Sequence, residues 1–219
     1  MADPIKIAMP VYDQADMLDV AGPCEMFYYA DIAVDLLAPD PSVEFTFNGG
    51  FPFRATQSFA NAGTYDALWI PGGAPQALAD IINDTKRTYL NFITDTASKV
   101  RFVCSVCEGA MLLAAAGLLD GYTATTHWAF IPCFTQHFPK VSVADGHPRY
   151  VLDRNRLTGA GISAGLDEAL MLIQLLAGTA AAMAAQQTTQ YYPQPPVVSE
   201  IPRAGGCPLP PLHLPPHGG

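Results

Sequence analysis

Basic residues are scarce in this chain, and that scarcity argues against one large class of partner. Only 11 Lys and Arg stand against 20 Asp and Glu, a formal net charge of −9, and no basic cluster interrupts the sequence. Attraction to a phosphate backbone is therefore not expected, and no nucleic-acid partner is inferred; a small-molecule partner fits better. A leader is not expected either. The opening "MADPIKIAMPV" has neither a basic n-region nor a long apolar h-region, so a cytoplasmic protein is expected. Cysteines are few and odd in number, at Cys24, Cys104, Cys107, Cys133 and Cys207. Such a set does not read as a secreted disulfide framework, and reduced thiols are expected. One segment, "ALMLIQLLAGTAAAMAAQ", approaches the roughly 18 uncharged residues of a membrane span. Gln174, Thr179 and the many Ala point instead to one half-exposed helix packed on a sheet or on a second subunit, so no membrane contact is expected. His213 and His217 lack nearby carboxylates or thiolates at ligand spacing, and no metal is expected.

Apolar material is plentiful. At 219 residues and 50% hydrophobic content, the chain can bury one sizeable core. The runs "IKIAMPV", "VDLLAP", "DALWIPGG" and "RFVCSV" have strand length, and several are too uniformly apolar to own a solvent face. Helical stretches separate them. "MLDVAGPCEMFYYA" carries the first helix, "APQALADIINDTKRTYLNFITDTASK" one or two more, and "EGAMLLAAAGLL" another that closes at Gly121. The alternation predicts an α/β fold with a doubly wound, mostly parallel sheet. Two antiparallel hairpins are expected, in "VEFTFNGGFPFRAT" and in "PRYVLDRNRLTGAG" with its turn at "DRN"; Ser163 then caps the final helix. Residues 1–191 read as one α/β domain. From residue 192 to 219, prolines and glycines forbid regular structure, leaving an extended tail draped over its own domain or over a partner. The apolar first helix around Cys24 to Tyr29 and the Ala-rich last helix predict a homodimer.

The chemistry is expected at Cys107, where the run "RFVCSV" gives way to Glu-Gly-Ala and a helix. Two readings stand, a buried cysteine filling a tight corner and a nucleophile raised at the carboxyl end of the sheet, where ligands of such folds bind. Unpaired amides at a helix start favour a thiolate. Cys104 completes a CxxC spacing, but it falls inside the predicted strand and reads as core. Gly72 and Gly73 in "IPGGAPQ" offer a turn whose amides can line the same crevice as an oxyanion hole. Asp19 in "DQADMLDVAGP" reads either as a helix N-cap or as a carboxylate hydrogen-bonding a thiol or water.

"MLDVAGP", "IPGG", "SVCEGAMLLAAAGLLDGYTATTHWAF", "LTGAGISAGLDEAL" and "QYYPQPPV", in this order, resemble the ThiJ/PfpI superfamily, most closely its isonitrile hydratase branch, over residues 5 to 196. The resemblance implies a flavodoxin-like α/β sandwich, a homodimer and a reaction needing no cofactor. It implies Cys107 as nucleophile, Asp19 as the assisting aspartate and Gly73 as the glycine facing the thiol. The product would be an N-substituted formamide, reached through a thioimidate. The branch typically has Thr after the cysteine, where this chain has Glu108. That carboxylate is either structural at the first turn, or it leans into the crevice, opposes thiolate formation and replaces Asp19 as acid/base. His127 is either packed beside Trp128 or close enough to the cysteine to act. Trp128, Phe130 and Ile131 favour a small substrate of little charge. Other cysteine-dependent activities, glyoxalase-like or amide-hydrolysing, and a non-catalytic sensing or stress role are the alternatives.

Overall fold

The computed structural model describes residues 4–214. The apolar run at the start forms β1 (Lys6–Pro10), and α1 (Met17–Tyr28) returns the chain to β2 (Ala33–Ala38). Next come the hairpin β3 (Glu44–Thr46) and β4 (Pro52–Arg54), a short edge strand β5 (Gln57–Ser58), and the fully buried β6 (Ala67–Ile70). Helices α2 (Pro75–Asn83) and α3 (Thr88–Ala97) are separate. Asp84 divides them, its carboxylate accepting from the amides of Lys86 and Thr88 at 3.0 Å each, while Arg87 takes a left-handed φ of 52°. This is local side-chain competition with the helix ladder.

The chain continues through β7 (Phe102–Ser105) and α4 (Gly109–Ala115), then β8 (Thr123–Ala124), α5 (Ile131–His137) and β9 (Ser142–Val143). It finishes with β10 (Tyr150–Asp153), β11 (Arg156–Gly159), α6 (Ala164–Ala177) and α7 (Thr179–Thr188). The central sheet has the order β10-β11-β7-β6-β1-β2-β5, parallel except for the β10–β11 hairpin. Strand order reverses at β1, which lies between β2 and β6. The carboxyl ends of β1, β6 and β7 therefore border the crevice where doubly wound sheets bind ligands. Both expected hairpins form, one around Gly49–Gly50 and one turning at Arg154–Asn155.

Three local expectations are corrected. Helix α4 stops at Gly117, not Gly121: Gly117 has φ +75°, and the amides of Gly117 and Leu118 bond the carbonyls of Ala114 and Leu113, a Schellman ending. The Ala-rich segment is two helices, because Gly178 adopts φ 93°, ψ 166°, a conformation open to glycine alone. Among the described residues, no helix is long and apolar enough to cross a membrane. Ser163 stands before α6 with helical dihedrals and makes no side-chain cap; its hydroxyl faces Arg149 instead.

The thiols require a fourth correction. Cys133 on α5 and Cys207 are joined in a disulfide across 74 positions, leaving Cys24, Cys104 and Cys107 free. Sequence spacing could not reveal the pair, since it depends on the Pro-rich segment folding back over its own domain. That segment has no helix or strand from residue 191 to 214. It buries Leu209, and Asn83 bonds the carbonyl of Pro211 and the amide of His213. His217, weighed above as a ligand, lies outside the described residues.

Candidate active site

Cys107 is the first residue of the site to explain, because its backbone is strained. It sits between β7 and α4 with φ +55°, a region that costs a side-chain-bearing residue about 1 kcal/mol or more. The surroundings hold it there. Its amide bonds the carbonyl of Ala160 at 2.9 Å, and its own carbonyl accepts from the Thr126 hydroxyl at 2.8 Å. Ile162 has a positive φ of 31° as well, unusual for a β-branched residue, and its amide donates to the Cys107 Sγ at 3.4 Å. Two strained residues thus face each other across the thiol.

The corner also needs two glycines. A Cβ on Gly109 would collide with the carbonyl oxygen of Ile70, and one on Gly72 would lie 2.5 Å from the Glu108 carboxylate and 2.8 Å from the Cys107 Cβ. Gly109→Ala is expected to cost about 3 kcal/mol of stability, since the obstruction is backbone rather than a flexible side chain. A denaturant midpoint left at the wild-type value would show that the elbow tolerates more space than these contacts allow.

Asp19 and Glu108 close over the thiol. Asp19 lies in the first turn of α1 and is fully buried; its Oδ2 accepts from the Gly72 amide at 2.9 Å, and its Oδ1 has no partner. It is not the N-cap, because Asp16 occupies that position. Asp16, Asp19, Cys107 and Glu108 each offer one atom within 4.8 Å of the others. Sequence reading missed Asp16, although the spacing of three between Asp16 and Asp19 puts both on one helical face. By donor type the four could hold a divalent cation such as Zn²⁺. The amide of Gly72 is committed to Asp19, so the diglycine turn orients a carboxyl instead of presenting that donor to an oxyanion.

Electrostatics overturn the expected thiolate. Burial raises Cys107 well above the ordinary thiol range, the charges of Asp19 and Glu108 raise it further, and only the Ile162 amide opposes them. Burial likewise lifts Asp19 well above the usual carboxylate range, with Asp16 and Glu108 adding and the Gly72 bond opposing. Glu108, 6% exposed, is pushed up by burial to about 7. Burial and neighbouring charge thus favour the thiol form of Cys107 and the protonated form of Asp19, while Glu108 can take or give a proton near neutral pH. His127 is held neutral by burial. Its Nδ1 accepts from the Ala129 amide at 3.3 Å and stands 4.0 Å from Glu108 Oε1, beyond hydrogen-bond reach. A third buried acid, Glu168 on α6, has no side-chain hydrogen-bond partner on either carboxylate oxygen among the described residues, and burial raises it too.

Beside the thiol lies a cavity of about 340 Å³. Thr126, His127, Trp128, Gly161 and Ile162 line it, together with Ile201 from the C-terminal segment. Cys107 itself is fully buried behind this lining. Trp128 thus faces the cavity, Phe130 is buried, and Cys104 is wholly core within β7.

A single buried cysteine on a strained strand-to-helix elbow, at the carboxyl edge of a flavodoxin-like sheet and closed by acids, defines a class of α/β proteins built around one thiol. The chain belongs to the DJ-1/PfpI family, whose model matches residues 5–175. It is 35% identical to the isonitrile hydratase of Pseudomonas putida over 199 residues, covering 90% of this chain and 83% of that protein. The crystal structure of a ThiJ/PfpI family protein from Pseudomonas syringae matches with a TM-score of 0.80 and 33% identity, covering 90% of this chain and 78% of that one. The transcriptional regulator GbdR of Pseudomonas aeruginosa is 34% identical over 113 residues, 52% of this chain but 29% of that one.

Proposed function

We propose that the protein hydrates isonitriles to N-substituted formamides through Cys107. The observation that carries this reading is the approach of Cys107, Asp19 and Glu108 within 4.8 Å in a chain so similar to an isonitrile hydratase over most of its length. The shape of the reactant supports it. An isonitrile, R–N≡C, is a rod whose reacting carbon carries no other substituent, so it can reach a thiol recessed behind a cavity wall where a branched carbonyl compound would be blocked.

In the first half-reaction ionised Glu108 takes the thiol proton, sulfur bonds to the terminal carbon, and Glu108 delivers the proton to that carbon, giving the thioimidate R–N=CH–S. In the second half, Asp19 donates its proton to the imidate nitrogen as water adds to the carbon and loses a proton to Glu108. The tetrahedral adduct then transfers its O–H proton to Asp19, the C–S bond breaks, and sulfur regains its proton from Glu108. One water has been added, and thiol and both carboxyls are restored.

No cofactor or metal enters these steps. Purified protein treated with chelator should convert cyclohexyl isonitrile to N-cyclohexylformamide. Consumption of methylglyoxal instead, dependent on Cys107, would favour a glyoxalase-like activity, and no turnover of either would favour sensing. The working unit is expected to be a homodimer, since Met17, Leu18, Tyr28 and Tyr29 leave apolar surface on and after α1 exposed. Light scattering should give twice the chain mass of 23.4 kDa; a monomer at micromolar concentration would remove that inference.

A further inference from the structure

The cavity beside Cys107 is walled in part by a segment that belongs to neither sheet nor helix. Ile201 lines it with Trp128, His127 and Ile162, yet 53% of Ile201 remains exposed, so it closes the mouth and not the floor. Among the described residues, no hydrogen bond ties residues 193–206 to the rest of the protein. The segment is held at its two ends. One is the end of α7, where the Tyr191 amide bonds the Gln186 carbonyl at 3.1 Å; the other is the Cys133–Cys207 disulfide, reinforced beyond it by buried Leu209 and the Asn83 contacts. A covalent tether at one end of an otherwise unbonded strap reduces the conformations open to the strap, and with them the chance that Ile201 leaves the cavity.

We propose that residues 192–206 form a movable wall of the substrate cavity, pinned by the Cys133–Cys207 disulfide, and that Ile201 limits the size of the substituent R that the cavity admits. The proposal deepens the isonitrile reading and rests on it for the identity of the substrate. The wall itself is independent of that chemistry. Isonitriles with compact alkyl groups fit beneath Ile201, whereas bulky aryl or branched groups meet it. A dithiol reductant would open the disulfide to two thiols while itself closing to a cyclic disulfide, freeing the strap at its distal end.

The chain carries an internal probe for this. Of its two tryptophans, Trp69 is fully buried in β6 and Trp128 lines the cavity, so quenching by acrylamide reports access to Trp128. Cys207→Ser, and the wild type after reduction by dithiothreitol, should each raise the quenching constant by about twofold or more, because the strap then opens locally. Ile201→Ala with the disulfide intact should do the same, and as a half-exposed residue it leaves the core untouched. In turnover, Ile201→Ala should shift kcat/KM toward a bulky isonitrile relative to a methyl one by about tenfold, the usual worth of a small steric change against an apolar side chain. Quenching unchanged in both variants would overturn the proposal, as would an unaltered preference between large and small isonitriles. A wild-type protein that turns over no isonitrile would count against the function, and the quenching result would still decide whether the strap is a wall.

Discussion

Replacing Cys107 by Ala should reduce isonitrile hydration by more than about 10³-fold, to the uncatalysed background, because the covalent route through the thioimidate needs its sulfur. Cys24 is distant in role. Its thiol is pushed up to about 12 by burial on α1, and among the described residues it lies outside the acidic cluster around Cys107. Cys104 is locked inside β7. Cys107→Ser is the stricter comparison, since it preserves the shape of the elbow. Its hydroxyl has a far higher pKa than a thiol, and a Glu108 titrating near 7 is too weak a base to activate it, so Ser should fail as Ala does. Full activity in either variant would remove the nucleophile from the account.

Glu108→Gln should produce two large effects of opposite sign. Activity should fall by about 10²–10⁴-fold, the usual worth of a positioned acid/base, and the limb of kcat/KM that rises through pH 7 in the wild type should vanish. Stability should increase. The native carboxyl titrates near 7 and the unfolded one near 4.5, so between these values the native state binds more protons than the unfolded state. Stability of the wild type therefore declines as pH rises through that window, by about 3 kcal/mol in all, and Gln lacks this loss. The variants should differ most above pH 7 and converge near pH 4.5. Urea melts at pH 8 and pH 4.5 check this directly. Equal stability at both values, together with full activity, would make Glu108 a bystander.

The parallel sheet was legible because β1, β6 and β7 are buried on both faces and so read as unbroken apolar runs, while the hairpins announced themselves through Gly49–Gly50 and Arg154–Asn155. The approach of Asp19, the Gly72–Gly73 turn and Cys107 was legible as well, since each follows a strand that ends at the same edge, but Gly72, not the expected Gly73, is the glycine packed against Cys107. What stayed hidden depends on burial and on distant contacts. Cys107 was expected as a thiolate because helix-start amides are visible in sequence, whereas the loss of solvent and the closeness of two acids, which prevail, are not. The Cys133–Cys207 bond joins positions that only the folded tail brings together. Glu168 could have been found: it is four residues from both Ala164 and Leu172 on α6, both fully buried, so helical periodicity alone puts a carboxyl on the apolar face.

The two-step chemistry makes Asp19→Asn the most informative protein to examine. Asn can still accept from the Gly72 amide, but it cannot protonate the imidate nitrogen for water to add, so the thioimidate should accumulate. After incubation with cyclohexyl isonitrile, the intact mass should rise by one isonitrile per chain. Digestion should place the addition on the peptide that carries Cys107. Formation of N-cyclohexylformamide at the wild-type rate with Cys107 unmodified, or an adduct on Cys24 in its place, would contradict a covalent role for Cys107.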